Sequence, residues 1–106
     1  MNERRASPRA RGPFDGVRFG LLDVDVRIYD LSAGGCFVES LNESKVGERL
    51  RLRIELPDEG GVEVVGFVVP SSRTLGYAVR FVELEDAARE RIERAVARLA
   101  PRKKGA

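Results

Sequence analysis

Two short segments concentrate the side chains able to do chemistry. In RASPR, residues 5–9, Arg5 and Arg9 stand four positions apart behind a further arginine, Arg4. Pro8 disfavours helical backbone at Ser7, so these guanidinium groups are expected on an extended or turned cationic arm. In DLSAGG, residues 30–35, a carboxylate (Asp30), a hydroxyl (Ser32) and two glycines (Gly34, Gly35) crowd one corner of the chain. The planar fork of an arginine matches a phosphate, or the O6/N7 edge of a guanine, through two parallel hydrogen bonds. A carboxylate accepts hydrogen bonds from the N–H groups on guanine's other edge, a hydroxyl both donates and accepts, and a glycine lets backbone and ligand approach without a Cβ. The chemistry offered is hydrogen-bonded recognition of an anion, with phosphate and guanine edges among the groups it matches.

Catalysis has little to work with. The chain has no His and one Cys, which removes the commonest general base, the Ser/His and Cys/His nucleophile arrangements and most zinc sites. The carboxylates are mostly interleaved with arginines on alternating positions, the pattern of solvated faces, so the chain is not expected to be an enzyme. Cys36 cannot form an intrachain disulfide and is read as a small core residue. No apolar run is long enough for a signal peptide or a membrane span, and the cytoplasm is the expected compartment.

The elements that must position these groups follow from periodicity. With 106 residues, 42% hydrophobic and 34% charged, the chain is expected to form one globular domain. Alternating apolar positions predict strands over 16–22, 24–30, 34–40, 49–56, 62–69 and 77–84. In the first, Val17, Phe19 and Leu21 share a face. In RLRLRIEL, Leu50, Leu52, Ile54 and Leu56 face inward while Arg49, Arg51, Arg53 and Glu55 face water. Tyr29, Phe37, Tyr77 and Phe81 are read as packing residues. Six strands joined by turns without intervening helices predict antiparallel pairing, most economically closed into a barrel that leaves no edge exposed. Over 85–100 the spacing becomes helical, with Ala88, Ile92, Ala95, Val96 and Leu99 on one stripe, so a C-terminal α-helix should pack on the barrel. Charge is unevenly spread. Residues 1–13 and the last six residues each carry +3 within a net charge of +2, which leaves −4 on residues 14–100. Three regions result: a flexible arginine-rich arm over 1–13, a barrel with its helix over 14–100, and a basic tail over 101–106.

RxxxR alone carries little information here, because Arg49/Arg53, Arg94/Arg98 and Arg98/Arg102 also satisfy it. A chance match to (D/N)xSxxG is expected only about 0.05 times in this composition. The two in this order resemble the paired signatures of the PilZ domain, the receptor module for cyclic di-GMP, and GCFVES and GYAVRF resemble that family too. The resemblance runs from Arg4 to the final helix. It implies a mainly β fold, a six-stranded antiparallel barrel of the split-barrel type with a C-terminal helix. It also implies a receptor whose arm changes conformation on binding cyclic di-GMP to signal to a partner protein not yet identified. The ligand would be held by Arg4, Arg5, Arg9, Asp30, Ser32, Gly34 and Gly35, with no cofactor. Arg4, just ahead of RxxxR, is the residue type that in the family accompanies an intercalated ligand dimer, implying two ligands per chain. Taken singly, an arginine-rich start is commonly a solvated tail and DLSAGG a turn. Two alternatives therefore stay open: a PilZ-like adaptor that binds protein without nucleotide, and a weak nucleic-acid-binding module using the basic ends. The acidic middle and the absence of an obvious aromatic platform make nucleic acid the less expected partner, and no membrane insertion is expected.

Overall fold

The computed structural model describes residues 8–100. Six strands, β1 (Phe14–Phe19), β2 (Val24–Ser32), β3 (Gly35–Glu39), β4 (Arg49–Leu56), β5 (Gly60–Val69) and β6 (Gly76–Val82), precede one helix, α1 (Asp86–Leu99). Every pairing is antiparallel, and the strands close in the order β1-β2-β3-β6-β5-β4, with β4 returning to β1. The period-two pattern of RLRLRIEL survives intact. Leu50, Leu52, Ile54 and Leu56 are buried, and they alternate with arginines and a glutamate on the outer surface.

The helix behaves as a stopper. It touches β2 and β5, which lie opposite each other in the ring, so it spans one mouth of the barrel. Ala88, Ile92, Ala95 and Val96 are buried against the core, and fully burying a residue such as Ile92 contributes about 1.5–3 kcal/mol. Leu99, the last position of the expected stripe, is instead 43% exposed, and Ala100 just beyond it packs against the core. Arginines on the flank fasten the helix to the β4–β5 turn. Arg91 donates to the Gly61 carbonyl at 2.7 Å, and Arg94 and Arg98 pair with Glu59 at 3.0 and 3.3 Å. At the other mouth Arg18 donates to the Tyr77 hydroxyl (3.2 Å), pairs with Glu48 (2.8 Å) and reaches Ser44.

The first strand departs from its expected reading. It occupies Phe14–Phe19, and its inward positions are Phe14, Gly16 and Arg18, so Val17 and Phe19 face outward. A Cβ at Gly16 would stand 2.9 Å from the Arg53 carbonyl oxygen and 3.0 Å from Ile28, so the inward position holds no side chain and the visible apolar alternation belongs to the outer face. Phe19 is sheltered by Arg51, whose guanidinium lies 4.8 Å from the ring centroid. Leu21 belongs to no strand. With Leu22 it is exposed in the β1–β2 turn, where the Gly20 amide turns back toward Asp23.

Candidate functional site: a cationic cleft at the β2–β3 corner

In β2, Val26 and Ile28 point into the barrel, and strict alternation would send Asp30 in after them. A bulge prevents this. The β2–β3 register slips between Tyr29 and Ser32, and Asp30 adopts a φ of 51°, a left-handed conformation that aspartate tolerates better than most residues. Leu31 takes the interior position, fully buried, and the Asp30 carboxylate is turned toward the outer surface, where Arg73 meets it. The arm holds the bulge from behind. Ala10 and Leu31 exchange two backbone hydrogen bonds of 2.9 Å, and the Asp30 amide donates to the Arg11 carbonyl at 3.1 Å. Ala10 is itself fully buried, so the chain joins the barrel ahead of β1, earlier than the boundary expected after residue 13, because this pairing satisfies backbone that the bulge would strand.

The rest of DLSAGG makes a tight corner. Ser32 is buried, and its Oγ accepts the Gly34 amide at 3.1 Å. The Gly34 carbonyl in turn accepts the Phe81 amide at 2.9 Å, tying the corner to β6. The two glycines differ. A Cβ at Gly34 would meet only Ser32 Oγ at 3.7 Å, whereas one at Gly35 would stand 2.2 Å from the Val79 carbonyl oxygen. Gly35 is needed because β3 and β6 approach there too closely for any side chain.

Around this corner lies a cleft of about 400 Å³, lined among others by Arg9, Asp30, Ser32, Gly34, Gly35, Phe37, Arg73 and Arg80. Three guanidinium groups face one carboxylate, so the cleft is cationic although the surrounding barrel is not. Arg73 comes from the β5–β6 loop, which folds back over the sheet. Its guanidinium bonds the Asp30 carboxylate and lies 3.9 Å from the Phe37 ring centroid and 5.9 Å from that of Tyr29. Tyr77 and Phe81 join the core as expected. Phe37 is buried as well, as expected of a packing residue, but on the outer side of β3 beneath Arg73. Cys36 lies in the core behind the cleft, where burial raises its thiol's pKa far above the ordinary range and keeps it protonated.

Of the residues singled out from sequence, Arg9, Asp30, Ser32, Gly34 and Gly35 come together at this cleft, while Arg4 and Arg5 lie outside the described residues. Sequence reasoning missed Arg73 and Arg80. Arg80 sits at an outward position of β6 directly opposite Gly35, which its parity in YAVRFVEL could have suggested. Nothing local marks Arg73, 43 residues from the carboxylate it meets.

The whole is a closed six-stranded antiparallel barrel stoppered by its last helix, with an arginine-lined cleft beside a bulged corner. The sequence model of the PilZ domain matches residues 3–98, and the chain belongs to the PilZ domain family. Its fold is similar to that of the Bacillus subtilis inhibitor of motility MotI/DgrA (TM-score 0.77, 21% identity, 92% of this chain and 51% of that one). It is likewise similar to the PilZ domain of Escherichia coli YcgR with c-di-GMP (TM-score 0.69, 17% identity, 92% of each chain). A third likeness is to the longer YcgR in complex with c-di-GMP (TM-score 0.64, 23% identity, 90% of this chain and 43% of that one). The chain thus spans about half the length of MotI/DgrA. No curated protein matches it. Among the described residues no helix is long and apolar enough to cross a membrane.

Proposed function

We propose that this chain is a receptor for cyclic di-GMP, which it binds in the cleft at the β2–β3 corner. The observation that carries the reading is the convergence of Arg9 with Asp30, Ser32, Gly34 and Gly35 around one cationic cleft, the donor and acceptor set that a guanine-bearing dianion requires. Membership of the PilZ family and the likeness to the YcgR domain with c-di-GMP support it. Arg5 is five residues ahead of the anchored Ala10, a reach of at most about 17 Å, so the arginines of the leading segment are within range of the cleft. In this reading Arg4, Arg5 and Arg9 grip guanine and phosphate while Asp30, Ser32 and the glycines form the opposite face. Two ligands bind as an intercalated pair, and the part of the arm ahead of the anchored Ala10, closing over them, presents a new surface to a partner protein.

Calorimetric titration of the purified chain with cyclic di-GMP, cyclic di-AMP and GTP tests the reading. The expected result is micromolar or tighter binding of cyclic di-GMP alone, with a stoichiometry near two. Arg9 is exposed and outside the core, so Arg9→Ala should fold normally yet bind at least about thirtyfold more weakly, the loss of one charged hydrogen bond of about 2 kcal/mol. Absence of binding by the unaltered protein at high micromolar cyclic di-GMP refutes the receptor assignment, and a stoichiometry near one refutes the paired ligand.

A further inference from the structure

Arg73 belongs to neither arginine-pair nor corner motif, yet it makes three separate contacts in the cleft. One face of its guanidinium lies on Phe37 at 3.9 Å, one edge bonds Asp30, and Tyr29 stands 5.9 Å away. With one face covered and the side chain still 46% exposed, the opposite face is open. Its charge is already matched by the Asp30 carboxylate. Arg9 and Arg80, which line the same cleft, have no acidic partner among the described residues. Phosphate is therefore drawn more strongly to Arg9 and Arg80, while Arg73 offers a flat, braced, charge-compensated surface. Guanidinium planes of that kind stack well on nucleobases. Resting on the reading of this cleft as a cyclic di-GMP site, we propose that Arg73 is a base-stacking residue, held flat between Phe37 and Asp30 so that its open face receives one purine of the ligand.

The pairing with Asp30 also accounts for the bulge. An aspartate left in strict alternation would be buried in the barrel, and the left-handed turn at Asp30 is what brings the carboxylate out to brace the guanidinium. Phe37 likewise gains a reason to be an aromatic residue on the outer side of β3.

Calorimetry on the full chain with cyclic di-GMP, comparing the unaltered protein with Arg73→Ala and Arg73→Lys across a salt series, decides the matter. Lysine keeps the charge and can still reach Asp30 but has no plane. If Arg73 stacks, both variants bind about tenfold or more weakly, the slope of affinity against salt stays that of the unaltered protein, and melting is little changed, since the pair is half exposed. Full affinity in Arg73→Lys, a flattened salt slope in Arg73→Ala, or unchanged or tighter binding by Arg73→Ala each overturns the stacking role while leaving the receptor reading standing. Failure of the unaltered protein to bind overturns both.

Discussion

Replacing Gly35 by alanine tests the corner most directly. The added methyl would stand 2.2 Å from the Val79 carbonyl oxygen, 3.2 Å from the Val79 carbonyl carbon and 3.3 Å from the Arg80 Cα, all of them backbone atoms of a strand that cannot swing aside. Ordinary contact begins near 3.4 Å, so β3 and β6 must part by more than an ångström at this pair, and the 2.9 Å bond from the Phe81 amide to the Gly34 carbonyl lies directly in the way. Forcing a methyl into a closed contact costs about 1–3 kcal/mol. A lost backbone hydrogen bond adds about 1 kcal/mol, for a total of about 2–4 kcal/mol. In a domain of this size each kcal/mol moves the melting temperature by about 4–8 °C, so Gly35→Ala should melt about 8–32 °C lower, followed by circular dichroism or calorimetry. The control is the adjacent glycine. Gly34→Ala adds a methyl whose nearest neighbour is Ser32 Oγ at 3.7 Å, with no left-handed φ to forbid it, so its melting temperature should hold or rise slightly as the unfolded chain loses freedom. Equal effects at the two positions, or a Gly35→Ala melt within about 3 °C of the unaltered protein, would refute the claim that strand proximity selects the glycine.

Other outcomes follow from the same geometry. Ile92→Ala, which empties a fully buried site on the stoppering helix, should cost about 2–5 kcal/mol, read as a lowered urea midpoint with little change in slope. The Glu59 carboxyl is held below its ordinary range, first by its hydrogen bond from Arg94 and then by Arg98, so its stabilising effect is present above the ordinary carboxylate pKa and is lost as pH falls through the depressed value. Glu59→Gln should therefore be less stable than the unaltered protein at pH 7, with urea midpoints converging as the pH falls below the ordinary carboxylate range. Cys36, buried and with its thiol pKa raised, should resist iodoacetamide in the native protein and react only after unfolding, followed by mass spectrometry. Ser32→Ala removes the acceptor for the Gly34 amide and should lower stability by about 1 kcal/mol in a thermal melt.

What the amino-acid order decides here is what local periodicity can carry. The two-residue rhythm of β4 places Leu50, Leu52, Ile54 and Leu56 inside with no help from the rest of the chain, and the helical stripe of α1 does the same for Ala88, Ile92, Ala95 and Val96. The paired motifs were recognisable because their residue types and spacing are rare in combination. The first strand misleads for an equally local reason: its inward positions include a glycine and an arginine, so its visible apolar alternation lies on the outside. The cleft's assembly was not written in any segment. Asp30 faces outward only because the bulge is pinned by Ala10 and Arg11, and Arg73 reaches it only because a loop folds back across a sheet whose closure is a property of all six strands together. Contacts between groups 43 residues apart depend on the summed twist and register of everything between them, which no single window of sequence contains.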